Sequence, residues 1–395
     1  MPSSRPLKIL TLDGGGLQAL ATLSSLTAVC RAIADHNGAD RSPAPHELFD
    51  MIAGIGTRGW IALLLGRYRL DIMTATCVYM EIASKVDEMT DPRSARRNRP
   101  FKLDQDRLYT VVGEVFQRYG LDFGLLCNDR TKQEGDQASK CEYSFAAAAV
   151  PAIEDQPVTY QLLRSYNTKF DAAGPLLSGP DPATLQITDV FAATAAAKFF
   201  LEPYMVGDVT LFDENFPQSH PISSIALDEA IGLFGENVEI SVLLNIGPGI
   251  PSDEDYQELD MMSLTPVSRL ARRFSWSSST GSVLKQKLLC IGLSRQEPGG
   301  KGDADRTSLS LSEMALQLEH QRREEIEARL EHMYGHGGRD RYQHLGPAYS
   351  AETASLNDVN ALGQSRSQTA ELKKRAVIEA QDMVARGHVW VDVVV

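Results

Sequence analysis

The chain has 395 residues, 43% of them apolar and 23% charged, which allows one large α/β domain or two smaller ones and excludes an intrinsically disordered protein. A net charge of −13 argues against nucleic acid as the main partner, because binding phosphates needs a basic surface, and it offers anionic membranes no general attraction. No run approaches the ~20 apolar residues of a membrane span and the first residues lack a secretory apolar stretch, so a soluble, cytoplasmic protein without stable membrane insertion is expected.

In chain order, residues 7–12 read as a short buried strand, Asp13-Gly14-Gly15-Gly16 as a turn, and 17–36 as a helix. Pro43 and Pro45 interrupt the pattern before a second strand at Leu48–Ala53, a glycine turn from Gly54 to Gly59, and an apolar helix from Trp60 to Leu65. Helices are expected at 71–87, 104–118, 188–197 and 222–235, and a buried strand at Val238–Asn245. Strand, glycine turn and helix, repeated, point to a mostly parallel sheet with helices on both faces. Sites in such sheets lie at the carboxyl ends of the strands, where both glycine turns fall.

After about residue 250 the pattern changes. Residues 251–260 are acidic, and 273–282 read as a serine-rich loop. The stretch 309–334 is an amphipathic helix with Glu319/Arg323 and Glu325/Arg329 spaced i,i+4, and a further helix is expected at about 369–386. The division expected is an α/β core over 6–250 and a loop-rich, helical extension over 251–395 packed on that core.

Two constellations carry chemistry. Three glycines leaving a strand for a helix let the amides of Gly14, Gly15 and Gly16 converge on an anion or a polarised carbonyl oxygen. The residues do not continue as a phosphate loop, and a purely structural turn is the alternative. The second is Gly54-Ile55-Gly56-Thr57-Arg58-Gly59, which has the spacing of a nucleophile elbow, G-x-S-x-G, with Gly56 at the apex and Arg58 where the closing glycine belongs. Glycine at an apex supplies no nucleophile. Thr57 is adjacent, but its side chain points another way from an elbow apex. The five cysteines (Cys30, Cys77, Cys127, Cys141, Cys290) are scattered and never paired as C-x-x-C, as reduced thiols are. His332, His336 and His344 lie near one another in sequence without the acidic spacing of a metal site, and no metal or cofactor is expected.

With these motifs the chain resembles the patatin-like phospholipases, and fungal members in particular through Leu163-Arg164-Ser165-Tyr166. Asp13-Gly14-Gly15-Gly16 resembles the family's oxyanion loop, Gly54–Gly59 its elbow, and Leu211-Phe212-Asp213-Glu214-Asn215 its second catalytic motif. The similarity runs from residue 7 to about 250. It implies a three-layer α/β fold, Asp213 as a base, and carbonyl binding by Gly14–Gly16. The departures are Gly56 in place of the nucleophile serine, Gln18-Ala19 after the glycine loop, Arg58, and Glu214 beside Asp213. His220 stands where the family has asparagine.

These departures imply that serine acyl hydrolysis is lost and the pocket rebuilt. Arg58 at a helix start opposes the positive end of the dipole, at a cost of ~0.3–1 kcal/mol, so an ion pair with Asp213 or a hydrogen bond to a ligand carbonyl is expected to offset it. The expected function is non-hydrolytic isomerisation or cyclisation of an apolar small molecule in secondary metabolism, such as an intramolecular cycloaddition of a terpenoid or polyene. Arg58 and Asp213 are its catalytic candidates, with Thr57, Gln18 and His220 as pocket candidates. Two alternatives stay open: a non-catalytic lipid-binding protein, and a residual phospholipase A-type hydrolase using Asp213 with water or Thr57.

Overall fold

The computed structural model describes residues 5–14, 19–89, 105–127, 141–150, 158–167, 178–196, 201–213, 222–247 and 311–346, together with 377–378, 380–382 and 384–385. Its strands are β1 (Leu7–Leu12), β2 (Met51–Ile55), β3 (Tyr143–Val150), β4 (Thr159–Arg164), β5 (Tyr204–Val206), β6 (Val209–Leu211), β7 (Ile240–Ile246) and β8 (Tyr342–Leu345). Its helices are α1 (Ala19–Asn37), α2 (Pro45–Leu48), α3 (Arg58–Gly66), α4 (Ile72–Met89), α5 (Gln105–Arg118), α6 (Ile187–Ala195), α7 (Ile222–Phe234) and α8 (Leu311–Tyr334).

Six strands form one sheet in the order β4-β3-β2-β1-β7-β8. The pairs β1–β2, β1–β7, β2–β3 and β7–β8 are parallel, and only β3–β4 is antiparallel. Because both faces of such a sheet are covered, its strands read as continuous apolar runs. All five residues of β2 are buried. One face carries a core built on Leu10, Leu12 and Ile52 with side chains of α1, α3, α4, α5 and α6. On the other, Leu7, Ile9, Met51 and Phe145 pack with α7 and with Ile326 and Leu330 of α8. The molecule is therefore the three-layer, mostly parallel α/β architecture expected from the sequence.

Helix α3 explains two features that periodicity leaves obscure. All nine of its residues are buried, so beyond Arg58 it is apolar around its circumference rather than along a stripe. Burial of each large side chain, such as Trp60, Leu63 and Leu64, contributes about 1.5–3 kcal/mol. The helix also presses closely on β3. A Cβ on Gly59 would lie 2.8 Å from Ala146 Cβ, and one on Gly66 would lie 2.7 Å from Ser144 Cβ. That contact requires small side chains at Ser144 and Ala146 on the face of β3 turned to α3.

The second strand begins three residues later than the pattern suggests. Pro45–Leu48 form a helical turn with proline at its start, and Glu47 Oε2 accepts from the Ala44 amide at 2.7 Å. The last strand, β8, lies in the region where the sequence suggests only loops and helices. Four residues of moderate hydropathy give little signal by themselves; pairing with β7 makes them a strand. The helix expected at 369–386 is described in part, with Ala380 and Val384 buried in the main core.

Candidate functional site

The elbow is set by its glycines. Gly56 follows β2 with φ +62°, the left-handed region in which glycine avoids a steric cost. Gly54 is required for a different reason: a Cβ there would stand 2.4 Å from the Arg58 carbonyl oxygen and 2.8 Å from the Gly59 nitrogen. The chain thus folds back so tightly that α3 begins against the strand it has just left. Gly59 completes the packing by lying against Ala146. The closing glycine of the elbow is functionally Gly59, one residue beyond the position that the G-x-S-x-G spacing marks.

Asp213 reaches this apex from 157 positions further along the chain. Phe212 and Ala149 exchange backbone hydrogen bonds at 2.9 and 3.0 Å, which fixes the chain beside the end of β3. The Asp213 amide then donates to the Ala196 carbonyl at 3.1 Å. In register, Ile55 of β2 pairs with Ala147, so Ala149 stands just past the end of β2 and above the elbow. The consequence is a direct approach. A Cβ built on Gly56 would lie 3.1 and 3.2 Å from the two carboxylate oxygens of Asp213. Asp213 is itself 7% exposed.

Gly14 arrives from the neighbouring strand. Its Cβ position would be 3.6 Å from the carbonyl oxygen of Ile55, the residue immediately before Gly56. Gly14, Gly56 and Asp213 therefore converge at the carboxyl ends of β1 and β2. Asp13 turns away from them and caps a helix, its Oδ1 accepting from the Ile222 amide at 3.2 Å in the first turn of α7. An acidic group there suits the positive end of the helix dipole. Gly15, Gly16, Gln18, Glu214 and His220 lie outside the described residues.

The two side chains after the apex point inward. Thr57 is 5% exposed and Arg58 is fully buried. Arg58 Nε donates to Thr22 Oγ1 of α1 at 3.4 Å, and the Tyr79 hydroxyl of α4 donates to Thr57 Oγ1, also at 3.4 Å. Burial pushes the Tyr79 phenol up, while the nearby Arg58 charge and the Thr57 hydrogen bond offset only part of that. Tyr79 and Thr22 thus form a polar layer behind the elbow. Neither residue has a local sequence signal, because each meets the elbow only through tertiary packing.

The Leu163–Tyr166 motif has a structural role in this fold. Arg164 Nε and Nη2 donate to Glu229 Oε1 and Oε2 at 2.6 and 2.7 Å, and the Tyr166 hydroxyl donates to Oε1 at 2.7 Å. Glu229 is fully buried in α7, so the motif ties β4 to the helix that Asp13 caps. Of the histidines noted in the sequence, His344 bonds to Asn245 and Glu319, and His336 is exposed. Among the described residues, no group of three or more His, Cys, Asp or Glu is placed to hold a metal ion, and no helix is long and apolar enough to cross a membrane.

No family model matches the chain. Over 112 residues, 28% of its length, it is 30% identical to "Phospholipase A I" of Arabidopsis thaliana. That stretch amounts to 8% of the plant protein, so the chain spans a small part of this curated relative. Among solved structures it is similar to VipD from Legionella pneumophila, with 9% identity and a TM-score of 0.38, over 98% of this chain and 68% of the other. The plant match agrees in direction with the motif resemblance: both are to phospholipase-type proteins.

Proposed function

We propose that this is a patatin-fold protein that has given up serine ester hydrolysis and uses the site formed by the elbow and Asp213 on an apolar small molecule bearing a carbonyl group. The proposed reaction is a non-hydrolytic isomerisation or cyclisation. The observation that carries the reading is the 3.1 Å approach of Asp213 to the Cβ position of Gly56. A carboxylate is kept at the place where a nucleophile would be activated, although the nucleophile is missing.

A base without a nucleophile is suited to proton transfer. With a carbonyl oxygen held by the Gly14–Gly16 amides, the adjacent C–H bond is acidified, and the electron pair it leaves is delocalised onto that oxygen. Asp213 would take the proton and return it to another carbon of the same molecule, so the product is an isomer and no water is consumed. For a folded polyene, orientation alone lowers the barrier by up to ~7–11 kcal/mol. Arg58, in this reading, holds the elbow against α1 and supplies positive charge behind the carbonyl site.

A non-catalytic lipid binder is the second reading, favoured by the full burial of Arg58 and the near-complete burial of Asp213. One experiment separates the readings. The protein is incubated in D2O with a long-chain α,β-unsaturated ketone, and separately with phosphatidylcholine vesicles; deuterium uptake and fatty-acid release are followed by mass spectrometry. Asp213-dependent deuterium uptake without fatty-acid release is the expected result. Ketone binding with neither uptake nor any isomeric or cyclised product supports the binder, and release abolished by Asp213→Asn restores hydrolysis and removes the proposal. Arg58→Ala is expected to weaken both ketone binding and uptake.

A further inference from the structure

Helix α6 lies between the elbow helix and the chain that delivers Asp213, and it touches both through side chains that the proposed chemistry does not use. Seven of its nine residues are buried, and Thr194 is the only polar one among them. Valine has the same shape and a similar helix propensity, so the hydroxyl answers to a partner rather than to the helix. Thr194 Oγ1 accepts from Trp60 Nε1 of α3 at 3.0 Å and donates to the Val190 carbonyl, one turn back, at 2.8 Å. The Trp60 and Phe191 rings stack with centroids 4.7 Å apart, and Thr194 Cγ2 lies 3.4 Å from the Cβ position of Gly59. Trp60, Phe191 and Thr194 are all fully buried. A buried indole N–H needs an acceptor, so this one hydrogen bond fixes how α6 sits along α3.

Both ends of α6 then meet the chain around Asp213. At the carboxyl end, two residues beyond Thr194, the Ala196 carbonyl accepts from the Asp213 amide at 3.1 Å. At the amino end, Asp189 Oδ1 accepts from the Tyr204 hydroxyl at 2.7 Å and Oδ2 from the Gln186 amide at 2.6 Å. Tyr204 pairs across the β5–β6 hairpin with Leu211, two residues before Asp213. On the elbow side, the Trp60 amide donates to the carbonyl of Thr57, the residue after Gly56, at 3.2 Å. A short path therefore runs from the apex through Thr57, Trp60, Thr194 and Ala196 to Asp213. The bridge of Phe212 to Ala149 holds the same segment beside β3, whereas the tie through Ala196 acts on Asp213 itself.

We propose that Thr194, supported by Tyr204, is a positioning residue that sets the separation between the Asp213 carboxylate and the apex of the elbow. The inference rests on the reading of Asp213 as the working base. That base has a separation to keep, since its two oxygens stand 3.1 and 3.2 Å from the Cβ position of Gly56 and proton transfer depends on the reacting atoms being held within hydrogen-bond reach. Thr194→Val keeps the volume and removes the oxygen. The Trp60 N–H then faces a methyl group, α6 shifts along α3 to relieve it, and Ala196 carries Asp213 with the helix. Thr194→Ser keeps the acceptor and holds the gap.

A thiol at the apex measures this gap without any substrate. In Gly56→Cys the sulfur stands beside the Asp213 carboxylate, whose charge disfavours the thiolate and raises the thiol pKa. Alkylation of that thiol by iodoacetamide is followed between pH 6 and 10 by peptide mapping, and the midpoint is the readout, because loosened packing raises the plateau rate without moving the midpoint. Adding Asp213→Asn is expected to lower the midpoint by about one unit, which makes alkylation about tenfold faster below it. Adding Thr194→Val instead is expected to give part of that fall, about threefold, and Thr194→Ser none. With Asp213→Asn already present, Thr194→Val is expected to leave the midpoint in place, since no charge remains to move. Should Thr194→Val not fold, Tyr204→Phe, which releases the other end of α6, is expected to act in the same direction. A midpoint lowered by Asp213→Asn but untouched by Thr194→Val and Tyr204→Phe overturns the positioning role and leaves the reading of Asp213 standing. A midpoint that Asp213→Asn does not move removes both.

Discussion

Replacing Gly56 with serine tests the geometry of the site more directly than any deletion. The cost can be read from the elbow. At φ +62° a non-glycine residue loses about 1–2 kcal/mol. The added Cβ would meet Asp213 at 3.1–3.2 Å, a close contact with the movable end of a side chain rather than with backbone. A shift of a few tenths of an ångström in the carboxylate relieves it. The variant should therefore fold, with a melting temperature lowered by roughly 2–4 °C per kcal/mol lost. The new hydroxyl would sit beside Asp213, the arrangement of a nucleophile with its base. Covalent labelling by a fluorophosphonate probe and measurable turnover of a p-nitrophenyl ester are the expected gains, both absent from the unmodified protein. Adding Asp213→Asn should then lower ester turnover by about 10²–10⁴-fold. A folded Gly56→Ser protein that neither labels nor turns over ester would refute the reading of this site as an acyl-hydrolase centre emptied of its nucleophile.

Three further outcomes follow from packing. Gly54→Ala should destabilise by about 3 kcal/mol or more, because its Cβ would press on backbone atoms of Arg58 and Gly59 that cannot move aside; Gly38→Ala, with open space around it, should cost about 1–2 kcal/mol from its positive φ alone. Denaturant melts compare the two, and equal losses would contradict the argument. Glu229→Ala should cost about 3–5 kcal/mol, since it strands the buried Arg164 guanidinium without its carboxylate. Calorimetry showing a loss under about 1 kcal/mol would mean that the Arg164–Glu229–Tyr166 cluster relaxes or admits water. Burial pushes the Cys30 and Cys141 thiols up to about 12, so at pH 8 a thiol reagent should modify exposed Cys77 and leave those two intact until the protein is unfolded. Peptide mapping after brief labelling checks this, and rapid modification of Cys30 in the native state would contradict its burial.

The readable part of the site was the part written in consecutive residues. Gly54 through Gly59 must turn the chain within six positions, so the turn's demands fall on adjacent letters and the elbow is visible from spacing. The spacing also misled in one respect, since it assigns the closing role to position 58. Which glycine is needed there depends on what α3 lies against, and Ala146 is a neighbour only after folding. Arg58 shows the same limit. The sequence marks it as out of place at a helix start, while its contact with Thr22 belongs to the packing of α1 on α3.

Composition and order alone determined that strands would alternate with helices, that their faces would be covered on both sides, and that the apex of the elbow would carry no oxygen. These are consequences of local hydropathy and of glycine's missing side chain, and no folding is needed to state them. Tertiary structure decided that Asp213, 157 positions beyond Gly56 in the numbering, stands within 3.2 Å of the Cβ position there, and that Tyr342–Leu345 closes one edge of the sheet. Both depend on long-range backbone pairing, Phe212 with Ala149 and β8 with β7. A hydrogen bond between distant segments leaves no periodicity in either, so only the folded chain reveals it.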